Sequence, residues 1–403
     1  MEVEARDVIR FQLVRDASEL ERGRSSGRTR FEFGPDYVHQ IFDEEKIRGH
    51  ESPVLTMRFT AHSLFLYGPE LISIRPTADA DDVIAKLKPF LPEQDDCRTD
   101  DLDVFKKKLT QPFPPLGKMI SKYFVTEKQN EDPVEFQIRK ADFSMKGVRK
   151  FHQRLRFFAT CFIETASFID DTDEKWSLLL LYRRRQPDES PNHSRFLDVA
   201  GYVTLYSFFS HPKGERLRLS QIVILPPYQR YGHGRQLLEA VYKEAVERNS
   251  FEVTVEDPAP VFQKLRDETD LRRVLEMNYF QDDTSNDHTS PTRKRRRPSL
   301  STQHLHKWDG SYAAEIRQAL KLTLAQIRRV YEMLKLHLLL ENGDDNAWTE
   351  FRLEVKRRLQ KEHIGSTRPN ADERKRLLAT LYDELIEMYT PIVNKVFSKL
   401  VHD

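Results

Sequence analysis

The chain has 403 residues, 38% of them hydrophobic and 32% charged, and its 65 Lys and Arg against 64 Asp and Glu leave a net charge of +1. That length allows two or three domains with cores of their own, and the near-neutral balance excludes a generally basic nucleic-acid binder. No apolar run reaches the roughly 18 residues of a membrane helix, MEVEARDVIR is no secretory signal, and two distant cysteines, Cys97 and Cys161, point to a reducing, intracellular setting without structural zinc.

Residues 1–135 alternate short strand-like runs, clearest in VLTMRFTAHSLFLY (54–67), with loops rich in Pro and Asp, and read as an α+β domain. Residues 146–169 place apolar side chains at 151, 155, 158 and 162, with Thr165 next in the series, the spacing of one helix face. On that helix Glu164 shares a face with Phe157, Cys161 and Phe168. WSLLLLY (176–182) and FLDVAGYVTLYSFF (196–209) flank a polar connector with two prolines and are expected to pair as antiparallel strands. A buried strand, LRLSQIVIL (217–225), a helix over about 233–247 and a strand FEVTVE (251–256) follow. Asp257 then suits a helix N-cap with Pro258 at the first helical position. Residues 282–306 are dominated by Ser, Thr, Asp, Asn and Arg and read as disordered. Beyond them, 315–341 and 371–401 are strongly helical. The division is 1–135, an α+β domain; 136–270, the domain with the crispest pattern; and 271–403, a helical domain carrying the insert.

Local charge is uneven. Acids cluster at 43–45, at 170–174 and at Glu256-Asp257, which favours a cationic partner. The basic run RKRRR (293–297) is a solvated charge run or a nuclear import signal; direct nucleic-acid contact is the lesser reading, because no aromatics interleave.

The densest chemical signal is ILPPYQRYGHGRQLL (224–238). Pro226 and Pro227 cannot donate to a sheet ladder and end the strand. Gln229 to Arg235 then lay backbone N–H groups around a turn that becomes a helix N-terminus, and Gly232 and Gly234 let the backbone curl. Unpaired donors and the helix dipole suit a phosphate or pyrophosphate there, although such a turn also serves plain packing. A P-loop would close on Gly-Lys-Ser/Thr, and this chain has His233-Gly234-Arg235. A dinucleotide fingerprint needs a third glycine where Leu237 stands.

A strand followed by Q-x-x-G-x-G and a helix resembles the GNAT-type acyltransferases, which hold the pyrophosphate of acetyl-CoA in this way. The resemblance narrows with PDYVHQIF (35–42), FQIRKADFSMKG (136–147), FIETASFID (162–170), Trp176, GYVTLYSFF (201–209), SQIVILPPYQRYGHGRQLLE (220–239), VEDP (255–258), KLRD (264–267) and RRVYEMLKL (328–336), all in order. Together these blocks resemble the catalytic subunit of the type B histone acetyltransferases. The match is dense over about 134–270, weaker before it and patchy in the C-terminal helices.

The resemblance implies a GNAT acetyltransferase fold within an α+β chain, with residues 1–135 binding substrate or partner. It implies acetyl-CoA as co-substrate, no metal, the N-terminal tail of newly made histone H4 as acceptor and a WD-repeat histone chaperone as partner, in nucleus and cytoplasm. Glu256 becomes the general base, Asp257 its assistant and Glu164 an auxiliary base. On the residues alone the plainer reading is the favoured one: Asp257 caps the next helix and Glu256 is a solvated acid. Backbone N–H groups of Ile222, Val223 and Ile224 would polarise the thioester. Those of Gln229, Arg230, Tyr231, Gly232, His233, Gly234 and Arg235 would hold the pyrophosphate. Trp176, Tyr206, Ser207 and Phe208 would line the histone groove, an even alternative to core packing, and Glu44 and Glu45 would face the tail. The chain departs from the family in three places: Arg230-Tyr231 replaces a common Gly-Gln, Val261 stands where a Ser usually reaches the cofactor, and the basic insert is extra. Two other classes remain: an acetyltransferase for another protein or a small amine, and a silent acyl-CoA or histone-binding module. The presence of all three acids speaks against the second.

Overall fold

The fold is seen in a computed structural model that describes residues 2–22, 31–93, 96–127, 132–186, 196–255, 257–277, 305, 308, 310–364 and 370–399. The basic run 293–297, nearly all of the 282–306 insert and Glu256 lie outside the described residues. Two compact units emerge, one of residues 1–208 and 217–241, the other of 209–216 and 242–403.

The strands in chain order are β1 (Glu2–Glu4), β2 (Ile9–Val14), β3 (Glu32–Phe33), β4 (Lys46–Arg48), β5 (Val54–Thr60), β6 (Leu66–Ile72), β7 (Arg98–Thr99), β8 (Lys118–Val125), β9 (Val134–Asp142), β10 (Trp176–Arg184), β11 (Leu197–Ser210), β12 (Gly214–Ile224) and β13 (Val253–Val255). In the first unit β3-β2-β5-β6-β7 form one sheet and β12-β11-β10-β9-β8 lie side by side in another. The first is mixed: β2 runs parallel to β5, and β5 antiparallel to β6. In the second, β8 with β9, β9 with β10 and β10 with β11 are antiparallel. The expected pairing of the 176–182 and 196–209 runs is therefore present, with Trp176 opposite Tyr206. Leu178 to Tyr182 are all fully buried, which is why that stretch reads as a continuous apolar run instead of an alternating one. The 54–67 run divides into β5 and β6 because Leu64 turns into the left-handed region (φ 53).

Between short helices α1 (Ala5–Val8), α2 (Ser18–Arg22), α3 (Val83–Leu87) and α4 (Leu102–Thr110) and the second sheet's centre comes α5 (Val148–Phe162). Its buried face (Phe151, Leu155, Phe157, Phe158, Cys161) packs an aromatic core. The Phe11 ring meets Phe33, Phe59, Phe157, Phe158 and Phe162 edge-on at centroid distances of 5.6 to 6.4 Å, the arrangement that the ring quadrupoles favour. The helix ends seven residues short of the expected 169. Its Cys161 carbonyl, which would bond the N–H of residue 165 in a longer helix, accepts from Asp36 N–H and Tyr37 N–H instead, each at 3.0 Å. A segment 125 residues away in sequence thus caps α5, and periodicity cannot register that.

In the second unit, α7 (Pro260–Glu276), after α6 (His233–Glu247), is followed by α8 (Gly310–Leu320), α9 (Leu324–Asn342), α10 (Asp345–Leu359) and α11 (Ala371–Lys399). The blocks KLRD and RRVYEMLKL meet here. Asp267 takes Arg329 through both oxygens (2.9 and 2.6 Å) and accepts from Gln263 and Gln326. Glu332 takes Arg358 the same way, at 2.7 and 2.8 Å, with Tyr389 OH at 3.2 Å. Burial pushes the Asp270 carboxyl up to about 6 against the pull of Arg266 and Arg273. These pairs hold the helices of this unit together. Among the described residues no helix is long and apolar enough to cross a membrane.

Candidate active site

The end of β12 and the start of α6 carry the site. After Ile224, Pro226–Tyr228 make one 3-10 turn. Gln229 then sends its side-chain amide back to the Ile224 carbonyl at 2.9 Å, and its own N–H closes on the Pro226 carbonyl. The expected ligand Gln229 therefore acts as a clasp that fixes the loop's geometry. Arg230 (φ 70) and Gly232 (φ 87) turn the backbone left-handed on either side of Tyr231. Gly232 is required for its φ alone, since nothing lies within 4 Å of an added Cβ. Gly234 belongs to the first turn of α6 and does not help the backbone curl. The N–H groups of Arg235 and Gln236 already close on the Gly232 carbonyl. Those of Gly232, His233 and Gly234 have no preceding helical turn to close on, a placement that suits an anion.

His233 contributes to this only through its backbone. Its ring is buried against Phe136 (centroids 4.1 Å), with Nδ1 2.8 Å from Tyr123 OH. Burial drives its pKa down to about 4, so the ring is neutral near pH 7. Arg235 Nε lies 3.6 Å from the Glu239 carboxylate, which leaves exposed Arg230 as the freer cation at the turn.

Arg230 is a departure with a cost. A side chain in the left-handed region costs about 1–2 kcal/mol that glycine avoids, partly offset by glycine's greater freedom when unfolded. Arg230→Gly is expected to raise stability by about 0.5–1 kcal/mol, read as a higher urea midpoint. A lower midpoint would show that the turn is not strained.

Ile222 to Ile224 are bracketed by two anchors. Gln221 N–H donates to the Thr204 hydroxyl at 3.0 Å, where a neighbouring strand carbonyl would ordinarily serve, and Leu225 N–H donates to the Ala200 carbonyl at 2.9 Å. Between them, β11 presses so close that a Cβ on Gly201 would lie 2.5 Å from the Val223 carbonyl oxygen. The register of β10 against β11 shifts at the same level, between Leu181 and Tyr182. Gly201→Ala must push β12 away; the expected loss is about 1–3 kcal/mol of stability together with weaker acetyl-CoA binding in calorimetry. Unchanged affinity would mean that this contact does not shape the cofactor strand.

The acids fall differently from expectation. Glu164 is not on a helix face. It stands exposed in the turn after α5, its carbonyl accepting from Gln40 Nε2 at 3.2 Å. It is no buried carboxyl. Asp257 is exposed and left-handed (φ 41), and it does not cap a helix. The helix starts two residues later, with Ala259 as N-cap and Pro260 at the first position. The second proline decides this, because a residue preceding proline is held out of the helical region. Val261, in the first turn of that helix, is 78% exposed. Cys161 is fully buried and its thiol is pushed far above the ordinary range, so it is a core side chain and not a nucleophile.

The aromatics do converge. Trp176 and Tyr206 face each other across β10 and β11 with centroids 4.7 Å apart, and Phe208 follows Tyr206 at 6.4 Å. All three, and Ser207, are half-buried, which places them at a surface and not in the core. Tyr206 OH donates to Asp173 Oδ2 at 3.0 Å, bringing one acid of the 170–174 cluster onto the aromatic pair. Glu44 and Glu45 are exposed with positive φ. Glu44 is paired to Arg48 at 2.5 Å, while Glu45 lies 3.8 Å from His39. The segment that carries them is tied to the end of α5 through Asp36, Tyr37 and Gln40. Sequence reasoning passed over Gly201, Thr204, Gln221, Tyr123 and Asp173; only Asp173, within DDTDE, carried a usable signal. Among the described residues no three His, Cys, Asp or Glu side chains gather as metal ligands.

Residues 1–164 match the family model described as histone acetyl transferase HAT1 N-terminus, and residues 155–264 match the acetyltransferase (GNAT) family. The chain is similar to the histone acetyltransferase type B catalytic subunit of Homo sapiens, 31% identical over 409 residues that cover 98% of this chain and 90% of the relative. It is 31% identical to that of Cryptococcus neoformans, with 91% and 90% covered. To that of Rattus norvegicus it is 32% identical, with 87% and 78% covered.

Proposed function

The chain belongs to the type B histone acetyltransferase catalytic subunits, histone-directed acetyltransferases of GNAT fold in an α+β chain, and from that premise we propose that it acetylates lysines in the N-terminal tail of newly synthesised histone H4. The observation that carries the reading is the turn Gln229–Gly234. It is clasped to Ile224, is left-handed at Arg230 and Gly232, and leads directly into the N-terminus of α6. That arrangement fits a pyrophosphate, and acetyl-CoA supplies the thioester.

The acceptor lysine sets the difficulty. With a pKa near 10.4, about 0.1% of it is neutral at pH 7.4, a handicap of about 4 kcal/mol. Glu256 takes that proton, with Asp257 assisting, while backbone N–H groups in Ile222–Ile224 polarise the carbonyl. Exposed Glu164 serves as an auxiliary base. Trp176, Tyr206, Ser207 and Phe208 line the tail groove, with Asp173 held at its rim. Glu44 and Glu45 extend the negative surface. Attack is direct, without an acyl-enzyme or a metal. In this reading residues 1–135 bind substrate or partner, 136–270 carry the chemistry, and 271–403 form the helical domain. A WD-repeat histone chaperone is the partner, and 293–297 directs entry to the nucleus from the cytoplasm. Incubation with acetyl-CoA and an H4 tail peptide tests the reading: acetyl-lysine in the peptide is expected, and an unmodified peptide overturns it.

A further inference from the structure

β12 carries an amide where its pattern calls for an apolar side chain. Leu217, Leu219, Gln221 and Val223 share one buried face, and Gln221 is only 6% exposed. Its Nε2 donates to the Ser167 carbonyl at 2.8 Å, across 54 residues of sequence. The acceptor is a carbonyl, so the amide orientation is fixed. Its Oε1 is buried and, among the described residues, has no donor. A buried amide with one end unpaired is costly compared with an apolar side chain of the same shape. Packing alone does not explain it.

The tie has a direction. Ser167 lies in the stretch after α5 that has neither helix nor strand and begins with the Glu164 turn. That stretch is held elsewhere by Gln40 on the Glu164 carbonyl, by the Ala166 N–H on the Ile163 carbonyl, and by Phe168 beneath the Arg156 guanidinium at 4.5 Å. Gln221 links it to the strand residue immediately before Ile222–Ile224. The Gln221 backbone N–H, bound to Thr204 Oγ1, sits at the same level. One residue thus anchors β12 to the Thr204 side chain of β11 and ties the 163–169 stretch to the same strand.

We propose that Gln221 is a positioning residue for acetyl transfer, holding the 163–169 stretch, and with it Glu164, in register with the acetyl-bearing strand. The inference rests on the acetyltransferase reading above and deepens it. It assigns the tail side of the reaction, not the cofactor side, to this contact, because the cradle at 229–234 is clasped independently by Gln229.

Gln221→Met keeps the volume and removes the donor. At saturating acetyl-CoA, its kcat/KM for an H4 tail peptide is expected to fall roughly ten- to a hundredfold, the penalty of a misplaced reacting group. Acetyl-CoA affinity is expected to stay within about twofold of wild type, since the clasped loop is unchanged. Added to Glu164→Gln, it is expected to cost little more, because the two act through one stretch. Wild-type kcat/KM in Gln221→Met, or losses that multiply in the double variant, would overturn the proposal. If Gln221→Met does not fold, Gln221→Asn, too short to reach Ser167, carries the same test. Hydrogen exchange supplies a readout that needs no activity. Amides at 163–169 are expected to exchange faster in the variant, and unchanged exchange there overturns the proposal even if wild type leaves the H4 peptide unmodified.

Discussion

Glu256→Gln is expected to lower kcat for the H4 tail by about a hundred- to ten-thousandfold, the usual range for losing a positioned base, with little change in acetyl-CoA affinity. The amide keeps the size and polarity of the carboxylate and removes only its basicity. The pH profile distinguishes this from simple damage. In wild type the rate levels off once the carboxylate is ionised and accepts the proton. In the variant only the spontaneously neutral lysine reacts. Its fraction rises about tenfold per pH unit up to a pKa near 10.4, so the variant's rate climbs throughout and the deficit narrows as pH rises. Asp257→Asn is expected to cost less, because Asp257 is exposed at a left-handed position and its proposed role is only to assist the base. A flat, pH-independent deficit in Glu256→Gln would remove the base assignment.

The second large effect concerns stability. Asp198→Asn is expected to destabilise the first unit by about 3–5 kcal/mol, the cost of leaving buried charge uncompensated. Asp198 is fully buried on β11, with Arg185 Nε 2.7 Å from one oxygen and Arg15 Nε 3.2 Å from the other. Arg185 also donates to the Arg15 carbonyl, and Val199 N–H donates to the Ala61 carbonyl at 2.8 Å. The acid therefore joins the two sheets of the unit through charge as well as backbone. Asparagine keeps the shape and leaves two guanidinium groups facing a neutral amide. The check is a lowered denaturant midpoint, with Asp96→Asn as control. Asp96 pairs with Lys150 at an exposed site, where water screens the pair and the midpoint is expected to stay put. Equal stability of Asp198→Asn and wild type would mean that the arginines find other partners.

Much of this was legible in the sequence because local chemistry decided it. Two prolines stop β12, a helix is expected over about 233–247, and the structure has α6 over His233–Glu247. The apolar runs around 176–182 and 196–209 gave both strands and their pairing. What was not legible was settled by distant residues or by backbone angle. Asp36 and Tyr37 end α5 early, which moves Glu164 from a helix face to an exposed turn. Pro260 overrules Pro258 as the helix start. Arg230 adopts the left-handed conformation that its side chain disfavours. The Gln229 side chain reaches back to clasp the Ile224 carbonyl, and Gln221, inside an apolar run, gave no sign of reaching Ser167.

The most direct test is a mass measurement on an H4 tail peptide incubated with acetyl-CoA and this protein, beside Glu256→Gln. Wild type is expected to add acetyl groups to peptide lysines, with little product from the variant in the same time. An unmodified peptide from wild type, or equal product from both, would contradict acetyl transfer by a carboxylate base on the clasped GNAT strand.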